Sequence, residues 1–151
     1  MSKITDFLTK LEATPALQKF YVNLPIKSET ISVKPLTFKQ QKSLLSSGAD
    51  GVRGIMLFAK LVDEVIIENA RGNLKTYDKL PLILKLRVNA LGGVADGIDI
   101  APILERAETT LGIFETERKV EFEQLELLLE YPTIERELQT INACSIALKQ
   151  T

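Results

Sequence analysis

The spacing of apolar residues changes along this chain between two periods, and this change restricts the possible folds more than any other feature. Residues 19–24 and 29–33 are rich in aromatic and β-branched side chains, and Ile31 and Val33 alternate with polar neighbours. Residues 119–131 alternate apolar and polar side chains, which is the period of a β-strand with one covered face. Other segments repeat apolar residues every three or four positions, as amphipathic helices do. Since the strand segments come as adjacent pairs, the sequence predicts an α+β fold with a small antiparallel sheet and four to five helices.

The first strand pair is predicted near residues 19–34 and is followed by a helix. Pro25-Ile26-Lys27-Ser28 forms a connector short enough for a hairpin. Thr37 and Gln40 then stand three positions apart, which is the spacing of a capping box. The sequence therefore predicts a short helix over about Phe38–Leu45.

The strongest helical pattern spans Ile55–Glu68, after a loop that contains Gly48, Gly51 and Gly54. Its apolar stripe is broad, so we expect a largely buried helix; the stripe consists of Ile55, Leu57, Phe58, Leu61, Val62, Val65 and Ile66. Asp78 is expected to cap a further helix, with Pro81 inside its first turn and Gly92-Gly93 at its end.

Two readings stay open for residues 101–111, because Leu104, Ala107 and Leu111 fit either a helix or the start of a strand. The alternation resumes near residues 118–131 and predicts a second antiparallel strand pair. Its glutamates are expected on a solvated face of the sheet; they are Glu121, Glu123, Glu126 and Glu130.

Amphipathic helices are predicted at both ends of the chain. The chain divides into an N-terminal amphipathic segment (1–14), a core domain (19–133) and a C-terminal helix (134–151). Each terminal helix could pack on its own domain or dock on a neighbouring protein. The candidate partner interface consists of the apolar residues of the two stripes: Ile4, Phe7, Leu8 and Leu11, followed by Leu138, Ile141 and Leu148.

The composition favours a binding or structural protein over an enzyme. The chain contains no His and a single Cys, which removes the commonest general base and the usual zinc ligands. No phosphate-binding glycine motif and no nucleophile elbow occurs, so we expect no cofactor. The carboxylate pairs Asp63-Glu64 and Asp96/Asp99 leave a metal-dependent hydrolase as a remote alternative.

The charge is divided unevenly along the chain. Residues 1–104 carry 14 Lys+Arg against 10 Asp+Glu, a net charge of +4, whereas residues 105–151 carry 5 against 10, a net charge of −5. This asymmetry fits either oppositely charged docking surfaces or ordinary solvated faces. The near-zero total, and the absence of a long apolar run, predict neither nucleic-acid nor membrane binding.

Several short motifs resemble the T-even-type bacteriophage baseplate hub protein family. A Leu-Pro step follows the first strand at Leu24-Pro25, and the second strand runs into Lys34-Pro35-Leu36-Thr37 and a Lys-rich helix. A later helix carries Leu86-Arg87 and ends at Gly92, and Tyr131-Pro132-Thr133 follows the last strand. Together the motifs are spread over most of the chain. One difference from the family is Glu130, which replaces the Lys that precedes this Tyr.

The resemblance implies a structural protein of the virion, made in the host bacterial cytoplasm and placed in the baseplate of a contractile tail. Its partners would be other hub, wedge or tail-tube proteins and the tape-measure protein. An assembly chaperone that leaves before the virion matures is the alternative within this class. Longer family members insert a Cys-bearing segment that this chain lacks, since its single Cys is Cys144, so no metal role is carried over.

Overall fold

A computed structural model describes residues 3–6, 18–47, 51–111 and 115–150, without the side chains of residues 148 and 150. The fold is α+β, as the apolar periods predict. Residues 3–6 are helical, and the elements that follow are β1 (Phe20–Leu24), β2 (Glu29–Val33), α1 (Phe38–Ser46), α2 (Gly51–Asn69), α3 (Lys79–Leu91), β3 (Val94–Ala95), β4 (Ile98–Asp99), α4 (Ala101–Leu111), β5 (Glu117–Phe122), β6 (Leu125–Glu130) and α5 (Ile134–Gln150). A 3₁₀ turn over Thr76–Asp78 precedes α3.

The described strands form three separate two-stranded antiparallel sheets, β1–β2, β3–β4 and β5–β6. Both predicted hairpins are therefore present, but they do not join into one sheet. The first lies against the helices, and its inward-facing residues are the buried Val22, Leu24, Ile31 and Val33. Val33 also forms a bridge with Ala70, which fixes the hairpin to the end of α2.

The hydrophobic core lies between the β1–β2 hairpin and the helices α2, α3 and α5. These elements and the segment between α2 and α3, which adds Ala70 and Leu74, contribute its buried residues, which are Val22, Leu24, Ile31, Val33, Val62, Val65, Ile66, Ala70, Leu74, Leu82, Leu86 and Ile134. The C-terminal helix α5 packs extensively against α2. Ile134, at its first position, is fully buried, so α5 closes the core that the preceding elements build.

Several local predictions are confirmed. The Thr37 hydroxyl accepts the Gln40 amide N–H at 3.2 Å, and Thr37 N–H donates to Gln40 Oε1 at 3.0 Å, which completes the capping box. Gly92 ends α3 with a φ of 85°, a conformation that glycine adopts without strain. The structure adds a further cap, at the start of α5, where the Thr133 hydroxyl accepts the Arg136 amide N–H at 3.2 Å.

Three expectations need correction. The helix predicted over Ile55–Glu68 begins at Gly51, so Gly54 is helical; the loop residue Gly48 lies outside the described residues. Apart from Gly54, the buried residues of this helix lie in its second half: Ile55 is 70% exposed, whereas Ile66 is fully buried. Residues 101–111, left open by the sequence, are helical. The third correction, at Asp78, concerns a buried ion pair described below.

Candidate protein-interaction surface

The β5–β6 hairpin is exposed along its whole length. Every residue of both strands is exposed, in contrast to the alternating burial of β1 and β2. The two strands contact each other closely, but no other described element packs extensively against either of them. The hairpin therefore projects from the helical body as a two-stranded arm.

The strand register sorts the hairpin side chains onto two different faces. Residues directly opposite each other share a face, and Val120 pairs with Leu127 while Phe122 pairs with Leu125. Leu129 pairs with Arg118 on the same side. We define the hairpin face by its apolar members, Val120, Phe122, Leu125, Leu127 and Leu129, whose exposed fractions range from 36% to 65%.

The opposite side of the hairpin is charged, and we define this acidic face as Glu117, Lys119, Glu121, Glu126, Leu128 and Glu130. Two of its cross-strand pairs join like charges, because Glu117 lies opposite Glu130 and Glu121 lies opposite Glu126. Like charges directly opposite each other destabilise a strand pair. Lys119 Nζ lies 3.0 Å from Glu126 Oε1, but both side chains are exposed, so the ion pair contributes little.

The base of the hairpin is fixed to the body. The Tyr131 ring contacts the Tyr77 ring edge-on, at 5.7 Å between centroids. Thr76 N–H donates to Pro132 O at 3.1 Å, and Lys75 Nζ lies 3.7 Å from Glu130. Burial raises the pKa of the Tyr77 phenol, and the negative charges of Asp78, Glu117 and Glu130 act in the same direction. The arm is thus held at one end and presents its free length outward.

An open cavity of about 400 Å³ lies at this base. Its lining includes Arg118 and Leu129 from the hairpin together with Tyr131. The hairpin face therefore runs without interruption from the turn at Glu123 to a concave region beside the body, which is a shape that can receive side chains of a partner.

A second apolar concavity, of about 310 Å³, lies among α1, α2 and α3. We call it the helical groove; it is lined by Leu36, Gln41, Leu44, Leu45, Phe58, Ile83, Leu84, Arg87 and Leu91. From α2, Phe58 lines this groove and is 45% exposed.

An ion cluster around one buried carboxylate connects three helices. Asp63 of α2 is fully buried, and its Oδ1 lies 2.6 Å from Lys79 Nζ of α3. Lys79 also contacts the Glu137 carboxylate of α5. Burial raises the pKa of Asp63 even though Lys79 opposes this. Burial alone would lower the pKa of Lys79, but its hydrogen bonds to Asp63 and Glu137 raise it overall.

Asp78, predicted to cap α3, has another role. It makes no side-chain capping bond to α3; its Oδ2 accepts the Lys75 amide N–H at 2.9 Å and lies 3.3 Å from Lys27 Nζ. Lys27 belongs to the β1–β2 connector and also donates to Asn73 O. Asp78 thus anchors the first hairpin to the 3₁₀ turn, because a buried carboxylate needs a cation close by.

The remaining predicted acidic pairs do not converge on a site. Asp63 faces Lys79, whereas its neighbour Glu64 pairs with Lys60 at 3.7 Å. Asp99 Oδ1 accepts the Ala101 amide at 3.1 Å and so begins α4. In the described ranges, no group of three or more His, Cys, Asp or Glu side chains is arranged to hold a metal ion.

The predicted interface residues are not brought together among the described residues. Ile4 is 70% exposed, whereas Phe7, Leu8 and Leu11 lie outside the described residues. Leu138 and Ile141 are half-buried and follow Ile134 at helical spacing in α5; the side chain of Leu148 lies outside the description. The sequence reasoning missed the hairpin face, although its signal, apolar residues alternating over 120–129, was visible.

No protein-family model, no curated protein and no solved structure matches the chain. Among the described helices, none has the combination of length and apolar character that a membrane crossing requires.

Proposed function

We propose that this chain is a structural subunit of a multi-protein assembly and that the β5–β6 hairpin is the element that joins it to a neighbour. The observation that carries the proposal is the exposure of the hairpin face, whose five apolar side chains have no covering element among the described residues. Contiguous apolar surface of this kind marks interaction sites in folded proteins.

The stability of the hairpin supports the same conclusion. A two-stranded hairpin without a packed face is marginally stable in water. The β5–β6 hairpin carries in addition two like-charged cross-strand pairs, Glu117 with Glu130 and Glu121 with Glu126. A partner that covers the hairpin face would remove its apolar side chains from water, at roughly 25 cal/mol per Å², and so stabilise it.

The polar interior of the body also fits a structural role. Among the described residues, the carboxylates of Asp63 and Asp78 are fully buried; both have lysine partners, and both connect separate elements of the fold. Both carboxylates therefore lie at contacts between elements of the body from which the hairpin projects. A rigid body with one projecting arm suits an adaptor between neighbouring proteins.

For the kind of assembly, we propose the baseplate hub of a contractile phage tail, with hub, wedge or tail-tube proteins as partners. This part of the proposal rests on the motifs Leu24-Pro25, Lys34-Pro35-Leu36-Thr37 and Tyr131-Pro132-Thr133. In the fold, the first two motifs border β1 and β2, and the third connects the hairpin to α5. The motifs thus lie where strands end and connect to the next element.

The test compares two neighbouring leucines on opposite faces of β6. Leu127 lies on the hairpin face and Leu128 on the acidic face, and their exposed fractions are 51% and 48%. We expect Leu127→Glu to prevent incorporation into tails, because a charge would be buried at the interface, while Leu128→Glu is tolerated. Incorporation is measured by mass spectrometry of purified phage particles, and circular dichroism checks that both variants fold.

Equal incorporation of the two variants would contradict the role of the hairpin face. Absence of the unmodified chain from mature particles, combined with its presence in assembly intermediates, would favour the assembly chaperone over the permanent subunit. Absence from both would remove the phage assembly from the proposal.

A further inference from the structure

The hairpin has a second property that bears on the chemistry of its partner, namely its charge. Residues Glu117–Glu130 contain five Glu against Arg118 and Lys119, a net charge of −3. Both cations belong to β5, whereas β6 carries Glu126 and Glu130 and no cation. The two edges of the hairpin therefore differ: one strand has mixed charges and the other has carboxylates only.

The side chains of β6 are segregated by face. Leu125, Leu127 and Leu129 lie on the hairpin face, whereas Glu126 and Glu130 lie on the acidic face. In the described residues β6 has only β5 as a strand neighbour, so its other edge can accept an added strand. An added strand would continue both faces of the sheet.

We propose that the partner of the hairpin is a different protein with an extended segment in which apolar and basic side chains alternate, and that this segment pairs with the free edge of β6. Its apolar side chains would extend the hairpin face, and its Lys or Arg side chains would lie beside Glu126 and Glu130. The inference rests on the proposed docking function and adds the chemistry of the partner.

Charge complementarity favours this partner over a second copy of the chain. A second β6 strand would bring its own glutamates beside Glu126 and Glu130, and like charges on neighbouring strands destabilise their pairing. A basic segment would instead relieve the repulsion between Glu121 and Glu126 that the hairpin has on its own. The existing partners of the β6 carboxylates, Lys119 and Lys75, are partly exposed and exchange easily with solvent or a ligand.

The experiment uses the full chain and synthetic peptides of equal length. One peptide alternates Val and Lys, a second alternates Val and Glu, and a third has the Val and Lys residues in two separate blocks. Binding is measured by titration calorimetry and by chemical-shift changes of the amides of residues 117–130. We expect the alternating Val/Lys peptide to bind at least about tenfold more tightly than the other two, with an affinity that falls as salt is added.

A matched pair of variants assigns the preference to β6. The double variant Glu126→Gln and Glu130→Gln is expected to bind the Val/Lys and Val/Glu peptides equally, because the acidic edge is lost. Glu105→Gln removes an exposed carboxylate from α4, outside the hairpin, and is expected to keep the full preference. Both changes are at exposed positions, and circular dichroism confirms that the variants fold.

Equal affinity for all three peptides, or no binding of any of them, would overturn the inference about the partner. The proposed docking function would survive that result if Leu127→Glu still prevented incorporation into tails. Light scattering after gel filtration tests the competing partner: a dimer that Leu127→Glu dissociates would make a second copy the partner and overturn the inference.

Discussion

The two long hairpins in the described part of the chain have the same pattern of side chains but opposite surroundings. In β1–β2, Val22, Leu24, Ile31 and Val33 lie against the helices and are at most 8% exposed. In β5–β6, one face of the sheet is apolar in the same way, but no helix covers it among the described residues. Its side chains are therefore exposed; they are Val120, Phe122, Leu125, Leu127 and Leu129. Alternation therefore encodes the strand and its two faces, whereas a second element decides whether the apolar face is covered.

The difference bears on the proposed function, because the covered hairpin builds the core and the uncovered one remains available for contact with a partner. The turn of the first hairpin is tied to the body through Lys27 and Asp78. The turn of the second hairpin, at Glu123, lies at the far end of the arm. The predictions that follow separate these two situations, beginning with the substitution of largest expected effect.

Truncation of a leucine should affect the two hairpins very differently. Leu24→Ala removes a fully buried side chain of β1 and leaves a cavity, so we expect the free energy of unfolding to fall by about 2–5 kcal/mol. Leu127→Ala, at a 51% exposed position of β6, should change it by less than about 0.5 kcal/mol. Urea denaturation measures both values. A large loss for Leu127→Ala would show that the hairpin face is already covered in the isolated chain.

The ion pair that fixes β1–β2 to the body should contribute more to the free energy of unfolding than the ion pair that fixes β5–β6. Asp78→Ala removes the buried partner of Lys27 and the acceptor of the Lys75 amide, and we expect a loss of about 1.5–3 kcal/mol. Glu130→Ala removes the partner of the Lys75 ammonium, and Glu130 is much more exposed than Asp78. We expect the free energy of unfolding to fall by at most about 1 kcal/mol. The measurement is again urea denaturation, and equal losses would mean that the two anchors are equivalent.

The parts of the fold that the sequence predicts are those set by local chemistry. The capping box of Thr37 and Gln40, the end of α3 at Gly92 and both strand pairs depend on residues a few positions apart. Burial of the first half of α2 was predicted wrongly, because the stripe through Ile55 and Phe58 needs a covering element that no local pattern specifies. The hairpin face was missed for the same reason: its alternation is local, but its exposure depends on where the helices lie.

The ionisation of Asp63 should give the helical body, but not the arm, a pH dependence. Its pKa lies above the usual 3.8 in the folded chain, so the folded chain binds this proton more tightly than the unfolded chain. The contribution of Asp63 to stability is therefore complete below pH 3.8 and is lost as the pH rises through the folded-state pKa. We expect Asp63→Asn, which cannot ionise, to gain stability relative to the unmodified chain over that interval.

This effect should be smaller than that of the two preceding substitutions in the body, since asparagine keeps the shape of the side chain and Lys79 retains Glu137. Urea denaturation of both proteins over a series of pH values gives the difference. A difference that stays constant with pH would contradict the raised pKa. Amide exchange in β5–β6 by local opening should be the same in both proteins at any one pH, because the arm opens independently of the body.

The smallest expected effect also tests most directly whether β5–β6 unfolds independently of the core. Ser28 and Glu123, in the two turns, have φ values of 49° and 53°, which L-residues adopt with strain and glycine without it. Ser28→Gly should raise the free energy of unfolding by roughly 0.5 kcal/mol, because β1–β2 unfolds together with the core. Glu123→Gly should leave that energy unchanged and only slow amide exchange within β5–β6, because the arm opens locally. If Glu123→Gly stabilised the whole chain as much as Ser28→Gly, the arm would belong to the cooperative unit of the core and would need no partner to remain ordered.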